Sequence, residues 1–282
     1  MMYLLSGSSK SILSVRSLFV GAALLLFNAT AFAELMIYPT RLVIEGNQRA
    51  TKVEMINNGS QVATYRISLV NRRMSETGAF SGIDEPLPGE RFSDDMLRYS
   101  PRQITLAPGS GQTVRLMVRK PANLEPGEYR SHLLFSKQPS VQGGRSPDSK
   151  DEGVGVRITT LVGVSIPVIV RHGATSAHVE LTGLQLIRER DRVVASFVIG
   201  RTGNQSVYGD LVLTFRPDGE KPRVVGSANG VAVYTPNPQR KASIVTNLDP
   251  RVTLSGGTLQ LIYREQAEDG GRLLAQESVM IP

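Results

Sequence analysis

The chain has 282 residues, no cysteine and a formal charge of +7, enough length for two ordinary domains that must be held by core packing alone. Disulfides, a lipidated cysteine and thiolate metal sites are excluded. The basic residues are scattered, without aromatic interleaving, which argues against nucleic acid as a partner and leaves protein surfaces or plain solubility as the uses of the charge.

Residues 1–33 carry only Lys10 and Arg16 as charges, pass through SLFVGAALLLF and close on Ala31-Phe32-Ala33. That is the plan of a secretory signal peptide with an A-x-A cleavage site. Its apolar run falls short of the ~20 residues a spanning helix needs. The expectation is an exported chain that starts near Glu34 and makes no stable membrane insertion.

Beyond the leader almost nothing reads as helix. Alternating runs at 36–45, 51–56, 64–70, 103–106, 113–118 and 129–135 are predicted strands. Between them lie turn signals such as Glu45-Gly46-Asn47, Asn57-Asn58-Gly59, Pro108-Gly109 and Pro126-Gly127. Residues 71–95, with several Gly, Pro and acidic residues, read as a surface excursion, and PSVQGGRSPDSKDEG at 139–153 as a polar loop.

The next segment, GVGVRITTLVGVSIPVIVR at 153–171, alternates almost without error. Its even positions are Val154, Val156, Ile158, Thr160, Val162, Val164, Ile166, Val168 and Val170. At ~3.3 Å per residue such a strand would reach roughly 60 Å, several times the common strand length. After Arg171-His172-Gly173 the pattern restarts, with predicted strands at 193–199, 210–215, 232–234, 242–245, 258–263 and 278–281. The fold class expected is all-β: two immunoglobulin-like β-sandwich domains, 34–172 and 173–282, joined by a short hinge.

Catalytic patterns are thin. His132, His172 and His178 form no metal-ligand spacing, and no G-x-S-x-G occurs. Gly153-Val154-Gly155 lacks a third glycine and precedes a strand, so it fails as a dinucleotide loop. Asp94-Asp95 and Asp151-Glu152 fall in polar segments, where solvated charge is the simpler reading. No enzyme activity, metal or cofactor is expected.

Several motifs occur together in a particular order. Tyr38-Pro39-Thr40-Arg41-Leu42-Val43-Ile44-Glu45-Gly46 opens the mature chain. A hairpin follows with Pro101, Ile104, Leu106, Pro108-Gly109 and Gln112-Thr113-Val114-Arg115-Leu116, and then Tyr129-Arg130 before the loop and the long strand. In this order the chain resembles the PapD-like periplasmic pilus (fimbrial) chaperones, and Ser165-Ile166-Pro167 resembles their archaic branch. The resemblance covers 34–171 well and the remainder in general plan.

The resemblance implies a function. Pilus subunits of such systems are incomplete sandwiches, and their open groove is an aggregation hazard. The chaperone's long strand fills the groove by donor-strand complementation, with backbone hydrogen bonds for affinity and alternate side chains in pockets. Here Val154, Val156, Ile158, Thr160 and Val162 would face the subunit, with Val164 at the boundary and 166–170 in the chaperone's own core. Four buried aliphatics would contribute about 6–12 kcal/mol before ordering costs.

Arg41 matches a first-strand arginine that, with a lysine from the long strand, anchors the subunit's terminal carboxylate; a planar guanidinium suits that task. Pro167 holds the lysine position, which leaves Arg41 to act alone or to serve another purpose. Pro167 also lacks an N–H, so the ladder there should be broken or edge-like. Arg171 matches an arginine that fixes the angle between the domains through salt bridges, and Lys137 stands where its acidic neighbour is expected.

The implied partners are pilus subunits and an outer-membrane usher, in the periplasm, and the exposed strand gives the free protein a means of self-association. The alternative is a structural two-domain pilus or surface-complex subunit. Such a subunit would carry a free donor extension at its mature N-terminus, whereas Glu34 leads almost at once into a predicted strand.

Overall fold

The computed structural model describes residues 34–83, 85–139, 163–251 and 256–282. The leader at 1–33 and the strand residues Val154, Val156, Ile158, Thr160 and Val162 lie outside the described residues.

Two immunoglobulin-like β-sandwiches follow one another along the chain. The first contains β1 (Leu35–Tyr38), β2 (Leu42–Ile44), β3 (Ala50–Asn57), β4 (Ala63–Val70), β5 (Arg72–Met74), β6 (Phe80–Gly82), β7 (Leu97–Ser100), β8 (Gln103–Leu106), β9 (Gly111–Val118), β10 (Gly127–Lys137) and β11 (Gly163–His172). A four-stranded sheet, β1-β3-β9-β7, faces a five-stranded one, β2-β11-β10-β4-β8. Val53, Met55, Val114 and Leu116 from the first meet Ile67, Leu133, Phe135, Val168 and Val170 from the second in one core.

The single strand expected over 36–45 is two. Ile37 is buried from an odd position and Leu42 and Ile44 from even ones. Between them the chain crosses from one sheet to the other, so β1 pairs antiparallel with β3 while β2 lies parallel to β11. One alternating run thus serves two sheets by changing its buried face at Pro39-Thr40-Arg41.

The second sandwich contains β12 (Ala177–Arg188), β13 (Val193–Gly203), β14 (Val207–Pro217), β15 (Arg223–Val233), β16 (Gln239–Val245), β17 (Gly257–Arg264) and β18 (Leu273–Ile281). Its sheets are β12-β13-β16 and β15-β14-β17-β18, around Phe197, Ile199, Leu211, Leu213, Phe215, Leu259, Leu261 and Tyr263. Residues 173–176 connect the sandwiches. Gly173 takes φ 63°, and a Cβ there would stand 2.9 Å from Pro126 Cβ. Both the left-handed backbone and the close approach call for glycine.

The segment 71–95 is not the loose surface excursion expected from its composition. β5 and β6 pair as a hairpin, and Met74 is buried with Ile169, Ala232 and Tyr234 in a third apolar cluster that bridges the sandwiches. Asn237 Nδ2 donates to Met74 O at 2.8 Å, and Lys241 N to Glu76 O at 2.7 Å. The hairpin is a clasp from the first sandwich onto the second.

Candidate functional site

The site is built on β11. On one side β10 pairs with it along its whole length, from Ser136↔Gly163 to Gly127↔His172. On the other side β2 pairs only with Val168, Ile169 and Val170. Among the described residues no strand pairs with the outer margin of 163–167. Pro167 sits at the last position before β2 begins, so a residue without an N–H occupies an edge, where it is tolerated.

The even face of β11 changes environment along the strand. Val168 and Val170 are fully buried and Ile166 is 3% exposed, whereas Val164 is 42% exposed. The apolar ridge of the first core therefore emerges into solvent at Val164. The odd face is not idle either, since Ile169 is buried in the bridging cluster.

Arg41 lies between β1 and β2, on the side of the sheet that faces the second sandwich. Its guanidinium carbon stands 4.7 Å from the centre of the Tyr208 ring, and its buried Nε has no acceptor among the described residues. The cation is held on an aromatic face of the second sandwich, a contact worth about 0.5–2 kcal/mol.

Arg171 joins three parts of the chain. It donates from Nε to Glu128 Oε2 at 3.2 Å and from Nη1 to Glu45 Oε2 at 3.1 Å. Glu128, with a fully buried side chain, also accepts from the Ser206 N–H at 3.1 Å and from the Ser206 hydroxyl. Ser206 belongs to the second sandwich, so the Arg171–Glu128–Ser206 chain ties the two together. Lys137 is elsewhere, paired with Glu34. Because β10 and β11 are antiparallel, the start of β10 lies beside the end of β11, and Glu128 is the Cα partner of Arg171. The expectation had placed the acid at the wrong end of β10.

Sequence reasoning missed a basic cluster on the even face of β10. Arg130 is 6% exposed and His132 2% exposed. Arg130 lies over Tyr234 at 4.5 Å and Phe80 at 5.7 Å, and the His132 ring meets Phe80 edge-on at 5.1 Å. Arg130 Nε and Nη1, both His132 nitrogens and Arg72 Nε are buried without a hydrogen-bond partner. Each such group costs about 1–3 kcal/mol in lost solvation. Burial first, then the neighbouring Arg130 and Arg72, pushes the His132 imidazole down to about 3, so it is neutral at ordinary pH. Burial also lowers the Arg130 guanidinium, opposed by Tyr234, Glu128 and Glu90. The signal in the sequence is Glu128-x-Arg130-x-His132 on one face of a strand, a pattern that reads as a solvated edge until a second domain covers it.

Among the described residues no group of three or more His, Asp or Glu could hold a metal ion, and no helix is long and apolar enough to cross a membrane.

No family model matches the sequence, and no curated protein matches it at a significant level. Solved structures with a similar chain course include the CupB2 chaperone of Pseudomonas aeruginosa, at 10% identity and a TM-score of 0.47, covering 88% of this chain and 100% of that one. The YadV chaperone is similar at 11% identity and a TM-score of 0.46, with the same coverage of 88% and 100%. The chaperone–tip subunit complex CsuC–CsuE, from archaic chaperone-usher Csu pili of Acinetobacter baumannii, is similar at 14% identity and a TM-score of 0.41, covering 88% of this chain and 98% of that one.

Proposed function

We propose that the protein is a periplasmic chaperone for pilus or fimbrial subunits, which it binds by donor-strand complementation and delivers to an outer-membrane usher. In this reading 1–33 is a cleaved export signal, 34–172 is the subunit-binding domain and 173–282 the second domain. No chemical step is catalysed. The observation that supports it most is the outer margin of β11. A strand whose apolar ridge surfaces at Val164, with β2 against only Val168, Ile169 and Val170, can offer its free edge to a chain that lacks a strand. Val154, Val156, Ile158, Thr160 and Val162 continue that ridge in sequence and would enter the subunit's groove. Arg41 supplies a cation in the adjoining cleft, suited to a carboxylate.

The deciding experiment is co-expression with subunits from a chaperone-usher operon. An Ile158→Asp, Val162→Asp double variant should stay folded and soluble, yet recover at least tenfold less subunit from the periplasm. Unchanged recovery would show that this segment donates nothing.

A further inference from the structure

Three rows of side chains that face the first core run on past it at the hinge end. Alternation carries Val114, Leu116 and Val118 on to Lys120, and Ile166, Val168 and Val170 on to His172. The row of Met55 and Val53 leads back through Thr51 to Arg49. The apolar members are buried, whereas Lys120 and His172 are half-buried and Arg49 is exposed. Each row thus ends on a basic side chain where the core stops.

These three ends meet. With Arg119 and the turn at Gly46 they line one cavity of about 560 Å³. Its whole lining belongs to the first sandwich, and no carboxylate is part of it. Gly46 ends a fourth core-facing row, after Leu42 and Ile44, with φ 57°, and a Cβ there would meet nothing within 4 Å. The turn therefore leaves the cavity open. Lys120 Nζ is aimed by donating to Arg171 O at 2.7 Å and to Gly46 O at 3.2 Å, which leaves one of its three N–H groups to spare. Glu45, beside Gly46 in sequence, is occupied by Arg171 at 3.1 Å. Among the described residues Arg49 and Arg119 have no ion-pair partner.

A carboxylate offers two coplanar oxygens and is matched by one planar fork. Donors that converge from three rows and two sheets match the tetrahedral oxygens of a phosphate instead. We propose that Arg49, Arg119, Lys120 and His172 form a phosphate-binding pocket at the hinge end of the first sandwich, past the opposite end of β2 from Arg41. Its ligand is a phosphate group, either free in solution or on a lipid headgroup at a membrane surface. Met117, which also lines the cavity and is 50% exposed, offers apolar contact to whatever carries the phosphate. The pocket does not depend on strand donation, because none of its residues lies on the donated segment.

The test follows the imidazole proton signals of the purified protein, which has three histidines. Inorganic phosphate is titrated at fixed pH, with sodium chloride of equal ionic strength as the reference, and His172 is identified by the signal lost in His172→Gln. A saturable shift of the His172 signal, with His178 unmoved, is expected. Arg49 accepts from the Val118 N–H through its backbone carbonyl, at 2.9 Å, so Arg49→Gln should keep the fold and bind phosphate at least tenfold more weakly. Sedimentation with vesicles of phosphatidylcholine, alone or mixed with phosphatidylglycerol, identifies the source. Pelleting with the mixed vesicles that Arg49→Gln abolishes assigns a lipid headgroup, and a phosphate shift without pelleting assigns a solution anion. Equal shifts at His172 and His178, undiminished phosphate affinity in Arg49→Gln, or no response to either probe would each overturn the site. The Ile158→Asp, Val162→Asp variant keeps the phosphate response, so loss of strand donation and loss of the phosphate pocket are read separately.

Discussion

His132 shows how one side chain reports its surroundings. An imidazole held neutral first by its burial and then by its cationic neighbours must take up a proton when the chain unfolds below pH 6.5. Its pKa is depressed in the folded state to about 3, so its stabilising contribution is complete above 6.5 and is lost as pH falls toward 3. The slope in that window is at most about 1.4 kcal/mol per pH unit. A His132→Leu variant should therefore lose less stability than the unaltered protein between pH 6.5 and 4.5, measured by denaturant unfolding at each pH. Parallel curves would mean that the imidazole titrates normally. The sequence placed His132 inside the predicted strand at 129–135, and in the structure it is buried there. What could not be read was its cover, since alternation identifies a second face without saying whether water or another domain lies against it.

Among the elements, the legible strands were those whose alternation is unbroken. β8 and β9 emerge close to their expected bounds, whereas β12 was missed. Val179 and Leu181 are buried from odd positions and Leu184 from an even one, because a bulge between Thr182 and Gln185, at Gly183 with φ 72°, changes the parity. A bulge erases the period-two signal while keeping the strand. The β5–β6 hairpin was missed for a different reason: strands of three residues are too short to show a periodicity, and their partner surface on the second sandwich is over a hundred residues away in sequence. Met74→Ala should cost about 2–4 kcal/mol in denaturant unfolding, as truncation of a buried methionine does. Phe80→Ala should bring the His132 pKa back toward 6.5 in a proton NMR titration. A His132 pKa that stays near 3 would mean that the hairpin does not provide the cover.

At the scale of the molecule, the two sandwiches are joined by more than their short connection. Apolar contact through Met74, Ile169, Ala232 and Tyr234 is accompanied by the buried Arg171–Glu128–Ser206 chain. Removing one member of such a network leaves the others uncompensated, at a cost of about 3–5 kcal/mol. Glu128→Ala should lower stability by that order and split one calorimetric transition into two, whereas Glu128→Gln, which can still accept from Ser206, should do less. A single unshifted transition for the alanine variant would assign the coupling to the apolar cluster alone. The architecture of two sandwiches was readable from strand spacing and the restart after Gly173. Their mutual docking was not, because it depends on polar residues whose partners only the folded chain identifies.

The brevity of β2 has a geometric result of its own. It runs parallel to β11 and begins at Leu42, opposite Val168. A guest segment lying along the unclaimed margin would meet β2 head-on just short of that point. If the guest points the same way as β2, its final residue comes to rest beside Arg41. The start of β2 is then an end-stop: it sets how far a visitor can slide and, with that, which of its side chains face inward. A visitor one residue longer would have to bulge or present the wrong face.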